Sequence, residues 1–552
     1  MGQFLFMPKL DMSMEEGTIV QWLIKEGDQV EKGDYVVEVE TGKVSIQVDN
    51  TIASGTVLKL YSKIGDTVKV NVPIMYIGKQ GESIPEPEDL DSMDPISSMS
   101  SDEDWKQETV KRDYDLAIIG GGPGGYTCAI RAAQLGKRAL IIEKQMLGGV
   151  CLNRGCIPTK SFIRNAEVLQ TIRNAAQMGI SAEHIRFDWK DVITRKNDVV
   201  TSLQRGIRVL MKQNGIDVVY GEGEISQRHT VRVGEQSYSC GQIVIATGTV
   251  QNAFEELSES DIPVYNTDEI LELKQLPETM AIVGAGIIGI EMAYVFNQYG
   301  VHVVLIDQNE RILTDADHEI VTILEKELKS SGIELMLGRK VIGGKEKELK
   351  LDNGESLHVD AVFYTGCRSA VIPSCYESLR EDQGYIAVDE NLRTSLPGVY
   401  AIGDCNGKMS TAHAAIRQGN VLAENLFGDG GRIDYDRIPS CIYSNPEAAW
   451  IGLTEEEARA RKIPVKVSKT RFASVGKAIA SAQTQGLVKV IADSRWDEIL
   501  GVHIIGANAT DIIAQAAITM TAELSADDIS NTVFAHPTFS EAFMEACGGL
   551  HH

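Results

Sequence analysis

Positive charge is what this chain is shortest of. Its 53 Lys and Arg face 78 Asp and Glu, for a formal net charge of −25. Nucleic-acid phosphates would be repelled by that surface, which excludes a nucleic-acid partner and leaves room for docking to a basic one. A membrane-length apolar run is also missing. The longest, near 281–296, contains glycines and Glu291 and reads as a strand turning into a helix. The start, MGQFLFMPKLDMSMEEG, has no basic stretch ahead of a long apolar one, so no signal peptide is expected. Phe6 stands where a myristoylation start would need Ser or Thr. Cysteine is sparse: nine residues, scattered and odd in number, form no secreted disulfide framework. A reducing, cytoplasmic setting is expected, with no metal site.

What is present divides into blocks, since 552 residues exceed one core and suggest three or four domains. Residues 1–79 carry an internal repeat. Gly17-Thr18-Ile19-Val20 is echoed by Gly55-Thr56-Val57-Leu58, and Gly27-Asp28-Gln29-Val30 by Gly65-Asp66-Thr67-Val68. The shared offset predicts two similar halves of short strands with Gly-Asp turns. Between them Glu38–Ile46 alternates like a hairpin and places Lys43 at its turn. Residues 80–111 are rich in Ser, Pro, Asp and Glu and read as a flexible linker. Some 30 such residues reach roughly 30 Å and hold an attached group at an effective concentration of about millimolar. From Arg112 strand-like and helix-like runs alternate, as in doubly wound α/β domains, and 441–552 reads as a separate α+β unit.

Two segments have the form of dinucleotide-binding turns. Tyr114–Ile119 runs into Gly120-Gly121-Gly122-Pro123-Gly124-Gly125, and Glu143 ends the following strand. Ala281-Ile282-Val283 runs into Gly284-Ala285-Gly286-Ile287-Ile288-Gly289, with Asp307 after the next strand. Gly120, Gly122 and Gly125, like Gly284, Gly286 and Gly289, permit a tight turn, approach of a pyrophosphate and close helix packing. The acids are placed for a ribose. Asp307 would repel a 2′-phosphate and favours NAD over NADP, although Arg311 lies close by. One such turn is a weak signal; two, each with its acid, are a strong one.

The redox signal is Gly148-Gly149-Val150-Cys151-Leu152-Asn153-Arg154-Gly155-Cys156-Ile157-Pro158-Thr159-Lys160. Two cysteines stand at the start of a helical run, with Pro158 suited to its first position. A helix N-terminus lowers a thiol's pKa, and a disulfide closing so short a loop would add little stability. The pair therefore reads as a redox group. Near the end, His536 precedes Pro537, and Glu541 can return to its ring, fixing the tautomer and raising basicity at the other nitrogen.

GGVCLNRGCIPTK resembles the redox-disulfide segment of the flavin-dependent pyridine nucleotide–disulfide oxidoreductases, the dihydrolipoamide dehydrogenases in particular, and residues 1–79 resemble a lipoyl domain. The resemblance implies a multidomain fold. It comprises an all-β lipoyl domain (1–79, a flattened β-barrel), the linker (80–111), a doubly wound FAD-binding domain (112–260, with 390–440), a doubly wound NAD-binding domain (261–389) and an α+β dimerisation domain (441–552). It implies lipoate on Lys43, although Gly42 and Val44 replace the usual Asp and Ala; biotin carriers would flank the lysine with methionines. Asp404 matches the acid on the flavin's ribityl chain, Ala412 a backbone contact to its ring, and Gly223 an approach to its adenine half. Gly248 and Gly366 fall in the conserved-form triplets Ala246-Thr247-Gly248 and Tyr364-Thr365-Gly366, and Lys160 and Glu291 match an ion pair beside the flavin.

By the same resemblance Cys151 exchanges with the substrate dithiol, Cys156 contacts the flavin, and His536, oriented by Glu541, serves the partner subunit of a homodimer. The implied reaction is oxidation of dihydrolipoyl groups with reduction of NAD⁺. It would serve the acyltransferase or hydrogen-carrier lipoyl domains of a 2-oxoacid, acetoin or glycine-cleavage complex. A mercuric reductase would carry a Cys-x-x-Cys module and a C-terminal cysteine pair, whereas here only Cys547 lies near the end. A glutathione reductase would favour NADP and has no use for a lipoyl arm. A non-enzymatic carrier would not need Cys151, Cys156, His536 and Glu541. Two departures from the family pattern are Cys367, where Arg is usual, and Asp511, where Glu is usual.

Overall fold

The computed structural model describes residues 3–8, 16–40, 45–50, 54–69, 72–79, 82 and 112–551. The chain forms two compact units, 1–110 and 111–552.

The first unit is two four-stranded antiparallel sheets. One orders Gln3–Phe6, Pro73–Gly78, Gly55–Leu60 and Gln29–Val30; the other Ser45–Asp49, Tyr35–Glu40, Glu16–Trp22 and Thr67–Lys69. Ile19, Val37, Val57, Ile74 and Met75 fill the space between them. The sequence repeat becomes a reciprocal exchange. Gly27 donates its N–H to Val57 and Gly65 to Ile19, at 2.8 and 2.7 Å. In the matching turns Asp28 accepts from Lys25 and Asp66 from Lys63. Gly27 and Gly65 hold φ of +97° and +95°, a left-handed turn that favours glycine. The expected hairpin forms, with Glu40 opposite Ser45. Its tip, with Lys43, lies outside the described residues, as does nearly all of the segment read as a linker.

In the second unit the first sheet orders Asp217–Tyr220, Ala139–Glu143, Tyr114–Ile119 and Gln236–Ile245, mutually parallel, with Val399–Ala401 parallel beside the last. A meander of Gly223–Gln227 and Thr230–Val233 extends Gln236–Ile245 antiparallel. Strands buried on both faces read as continuous apolar runs, which is why Leu116–Ile119 and Leu140–Ile142 stand out. A second, all-parallel sheet orders Val264–Tyr265, Ala361–Tyr364, Thr279–Val283, His302–Asp307 and Glu334–Leu337. The chain enters and leaves that region through an antiparallel pair, Thr249–Gln251 with Arg368–Ala370, just after Gly248 and Gly366. The apolar run near 281–296 is indeed a strand and a helix, Thr279–Val283 and Ile287–Gln298. The C-terminal sheet is antiparallel, in the order Ser440–Ile442, Ala448–Gly452, Ile499–Ile505, Leu487–Asp493 and Val465–Arg471, and is covered by the helices Ala509–Thr521 and Glu541–Gly548. Among the described residues no helix is long and apolar enough to cross a membrane.

A buried ion cluster ties the C-terminal sheet to the start of the helix His318–Ser330. Lys489, 2% exposed, reaches Asp317 at 2.8 Å and Glu455 at 2.7 Å. Asp317 also caps the helix His318–Ser330 by accepting from Glu319 N–H. Burial is the largest influence on the Asp317 carboxyl and pushes it upward, but the hydrogen bond and charge of Lys489, with His503 and the Glu319 amide, together outweigh it and the net shift is down. Removing Asp317 leaves buried Lys489 with Glu455 as its remaining close partner, so Asp317→Asn is expected to lose about 3 kcal/mol in denaturant unfolding, the low end for breaking a buried ion pair. Because the Asp317 pKa is depressed in the fold, its contribution is present above its unfolded value and vanishes as pH falls through the folded one. The variant's stability should therefore lack that component of the acid-side loss.

Candidate active site

The two glycine-rich turns have the same internal geometry, and it shows what each glycine does. At Gly120 and Gly284, φ is +110° and +112°, and an added Cβ would lie 2.2 Å from Ala246 O and 2.2 Å from Thr365 Oγ1. At Gly125 and Gly289 it would lie 2.0 and 1.9 Å from the carbonyl oxygens of Gly120 and Gly284. The outer glycines are thus required by the protein's own packing. The middle ones are not: a Cβ at Gly286 would meet nothing within 4 Å, and one at Gly122 only Gly149 Cα at 3.8 Å. They leave open space in which a bound group can approach the backbone. The helices beginning there, Pro123–Gln134 and Ile287–Gln298, have no side-chain cap and no acid in the first turn. Their free N–H groups and positive ends fit a pyrophosphate.

Each acid also secures its own turn. Glu143 accepts from Gly121 N–H at 2.8 Å, and Asp307 from Ala285 N–H at 2.6 Å. Both keep lone pairs for a ribose. Arg311 does not turn toward Asp307; its guanidinium donates to the carbonyls of Thr314 and Ala316. That removes the nearest candidate for a 2′-phosphate partner.

The other positions matched to the two cofactors divide by cause. At Gly223 a Cβ would press on Ile119 and Ile142 at 3.1 Å, so core packing accounts for this glycine. At Gly366 it would strike the ring of Tyr364, which stacks on Phe254 at 4.2 Å. Gly248 needs its left-handed φ of +68°. Asp404 lies in the short helical turn Gly403–Asn406; burial pushes its carboxyl upward, opposed by Arg368 and a hydrogen bond from Thr249. Ala412 opens the helix Ala412–Phe427, capped by Thr411.

The cysteines sit on two helices meeting at Gly155: Cys151 within Gly149–Arg154, Cys156 at the head of Cys156–Arg173. Pro158 is therefore the third helical residue, not the first, because the chain already turns helical at Cys156. It still lies in the first turn, where its missing N–H leaves nothing unpaired. The first of these helices rests on the first dinucleotide turn. Gly148 N–H donates to Gly121 O at 2.8 Å, and a Cβ on Gly149 would lie 2.7 Å from Gly122 Cα. That contact sets the redox pair beside the space Gly122 keeps open.

Both thiols are free and partly accessible. The hydrogen bond from Cys151 is the main reason the Cys156 thiol drops to about 7, against the cost of burial and with help from Lys160. Cys151, giving that bond, is driven upward and keeps its proton. Elsewhere burial pushes Cys128, Cys240, Cys441 and Cys547 up to about 12. Only a stabilised thiolate is a competent nucleophile or donor, and of these cysteines Cys156 is the one whose surroundings favour that form.

Lys160, one turn beyond Cys156, meets both carboxylate oxygens of Glu291 at 2.9 Å. Glu291 is 2% exposed and also accepts from Tyr443 N–H at 3.1 Å. Tyr443 holds its ring 4.3 Å from Lys160 Nζ. Sequence reading missed Tyr443, since an aromatic after a strand reads as core. It also missed the ion pair of Arg154 with Asp268 at 2.7 Å, which ties the segment between the cysteines to the chain ahead of the second turn.

His536 Nδ1 and Glu541 Oε1 are 2.8 Å apart, and Glu541 Oε2 accepts from Thr538 N–H at 2.7 Å. The Thr538 amide and the His536 ring hold the Glu541 carboxyl below its ordinary range. The imidazole is thereby oriented but left 78% exposed. Within the described residues of one chain, no hydrogen bond joins it to either cysteine.

Comparison with known proteins agrees with this geometry. The family model of pyridine nucleotide-disulphide oxidoreductases matches residues 114–419, that family's dimerisation domain 438–547, and the domain described as biotin-requiring enzyme 5–77. The dihydrolipoyl dehydrogenase of Bacillus subtilis is 36% identical, over 79% of this chain and 97% of its own length. That of Corynebacterium glutamicum is 37% identical, over 79% and 98%. Among solved structures, the HOCl-induced flavoprotein disulfide reductase RclA of Escherichia coli superposes with a TM-score of 0.70 at 26% identity, over 79% of this chain and 99% of its own. The chain belongs to the pyridine nucleotide-disulphide oxidoreductase family, as an FAD- and NAD-dependent enzyme with that family's dimerisation domain and an added N-terminal domain of the biotin/lipoyl type.

Proposed function

We propose that this enzyme oxidises dihydrolipoyl groups to the cyclic disulfide and reduces NAD⁺, as a homodimer in the cytoplasm and as the third component of a 2-oxoacid, acetoin or glycine-cleavage complex. The observation that carries the reading is the Cys151–Cys156 pair, with one depressed thiol, packed against the first dinucleotide turn. In the oxidised enzyme the two cysteines form a disulfide. His536 Nε2 takes a proton from one substrate thiol, Glu541 holding the ring in place. The resulting thiolate attacks Cys151 Sγ, the Cys151–Cys156 bond breaks, and the electron pair leaves on Cys156. The second substrate thiol then displaces Cys151, closing the lipoyl ring and leaving the enzyme as a dithiol. Lys160 stabilises the charge on Cys156, and buried Glu291 keeps Lys160 in position. FAD held at the first dinucleotide turn would supply the two-electron chemistry that links the reduced cysteine pair to NAD⁺. Gly120, Gly122, Gly125, Glu143, Gly223, Gly248, Asp404 and Ala412 would hold the FAD. Gly284, Gly286, Gly289, Asp307 and Gly366 would hold the NAD.

Lys43 carries lipoate in this reading and works as a tethered electron or acyl carrier. The test is turnover of the purified yellow enzyme with dihydrolipoamide and NAD⁺, against NADP⁺, glutathione disulfide and mercuric ion as alternatives. NADH formation only with the first pair is expected; its absence sinks the assignment. Lys43→Ala should slow the parent complex severalfold and leave oxidation of free dihydrolipoamide intact. Loss of both activities, or of neither, would refute the tether.

A further inference from the structure

We propose that Tyr443 is the positioning residue for the Lys160 ammonium: its ring holds that charge in place beside Glu291 and, through it, sustains the thiolate form of Cys156. The inference rests on the redox reading of the cysteine pair. It adds to that pair a residue from the C-terminal domain, which sequence order places almost 300 residues away.

Tyr443 directly follows Ser440–Ile442, an edge strand of the C-terminal sheet. It meets both members of the ion pair, each with a different part of itself. Its N–H donates to Glu291 Oε1 at 3.1 Å, and its ring centroid lies 4.3 Å from Lys160 Nζ. A cation within about 6 Å of a ring centroid is drawn to the face by the ring's quadrupole. The Lys160 nitrogen is thus met twice, by the two Glu291 oxygens at 2.9 Å and by the ring.

The second contact matters because the first has a cost. Lys160 favours a thiolate at Cys156, whereas the charge of Glu291 opposes it. Glu291 is buried and fixed, but the Lys160 side chain is 31% exposed and ends a flexible four-carbon stem. An ammonium that swung out to water would leave Cys156 with the opposing charge alone. Another carboxylate could hold the ammonium, but would add to that opposition. A neutral ring attracts the cation and brings no charge of its own. Burial, together with Cys441, Glu291, Glu447 and Asp511, pushes the Tyr443 hydroxyl up to about 12, so the ring stays neutral. The groups whose charge acts on Cys156 itself are Cys151, Lys160 and Glu291, and of these the ring touches Lys160.

The test follows alkylation of Cys156 against pH in the yellow Cys151→Ser enzyme, with the label assigned to Cys156 by peptide mass. Adding Tyr443→Leu should move the profile upward. Alkylation should be about threefold slower at about pH 6 and equal to the parent at high pH, in keeping with the strength of one cation–π contact. Tyr443→Phe keeps the ring face and should leave the profile where it is in the parent. Lys160→Gln should itself raise the profile. Adding Tyr443→Leu to it should raise the profile no further, because a residue that acts only through Lys160 has nothing left to act on. Tyr443→Met, which fills the space without a ring, replaces Tyr443→Leu if that chain fails to fold. The inference is overturned if the Tyr443→Leu and Tyr443→Phe profiles coincide. It is overturned equally if Tyr443→Leu shifts the profile as far with Lys160→Gln as without it, the mark of a purely structural role. A Cys151→Ser parent whose profile shows no rise near pH 7 would overturn the thiolate reading of the pair, and this inference with it.

Discussion

Cys151→Ser is expected to take dihydrolipoyl oxidation below detection while the protein stays folded and yellow. Serine cannot form the enzyme disulfide, so no electron pair can be accepted from substrate. The contact of Gly149 with Gly122 and the bond from Gly148 to Gly121 involve backbone atoms only, so the dinucleotide turn is undisturbed. A subtler consequence distinguishes two replacements. The hydrogen bond from Cys151 is the chief reason the Cys156 thiol sits near 7. Serine can still donate that bond; alanine cannot. In Cys151→Ser, alkylation of Cys156 should rise through about pH 7 and then level off, since thiolate is the reactive form and accumulates as pH rises. In Cys151→Ala the same profile should move to higher pH. Coincident profiles would show that Cys151 does not stabilise its neighbour.

His536→Gln should lower kcat for dihydrolipoyl oxidation by about 10²–10⁴, the usual worth of a positioned base. Transfer of electrons from NADH to a small dye needs no proton from a substrate thiol and should be preserved. An equal loss of both reactions would mean that the substitution had damaged the fold. The exposed ring, joined to neither cysteine within its own chain, also permits a complementation test. Where sites are shared across a two-fold axis, a mixed dimer of Cys151→Ser and His536→Gln chains has one intact site. Co-expression of the two chains should then restore about a quarter of wild-type activity from a random mixture of dimers. No recovery would place Cys151 and His536 of the same chain in one site.

Much of this site could be read from residues in order along the chain. The glycine turns were legible because backbone crowding forces glycine at fixed spacing, and that crowding is present at Gly120, Gly125, Gly284 and Gly289. The His536–Glu541 pair was legible because both residues fall within one short loop and the turn after it. What sequence order conceals is partnership at a distance. Lys160 and Glu291 are 131 residues apart, and only a family pattern linked them. Tyr443, which joins that pair through its amide and its ring, had no such pattern and was missed. Lys489 carries no mark of burial in the sequence around it; its burial depends on Asp317, 172 residues earlier, and on Glu455. The misplaced start at Pro158 has a local cause. The helix is begun by the turn at Gly155, three residues before Pro158.

The reciprocal bonding in the N-terminal unit sets a limit on how that module can be cut. Gly27 closes its turn on Val57, and Gly65 closes on Ile19, so each half supplies the acceptor that the other half's donor needs. A fragment ending at Asn50 would keep the first turn and lose its acceptor. Protein engineers grafting this arm onto another enzyme must therefore transplant both halves as one cassette, and a split pair should recover its structure only when the pieces are mixed.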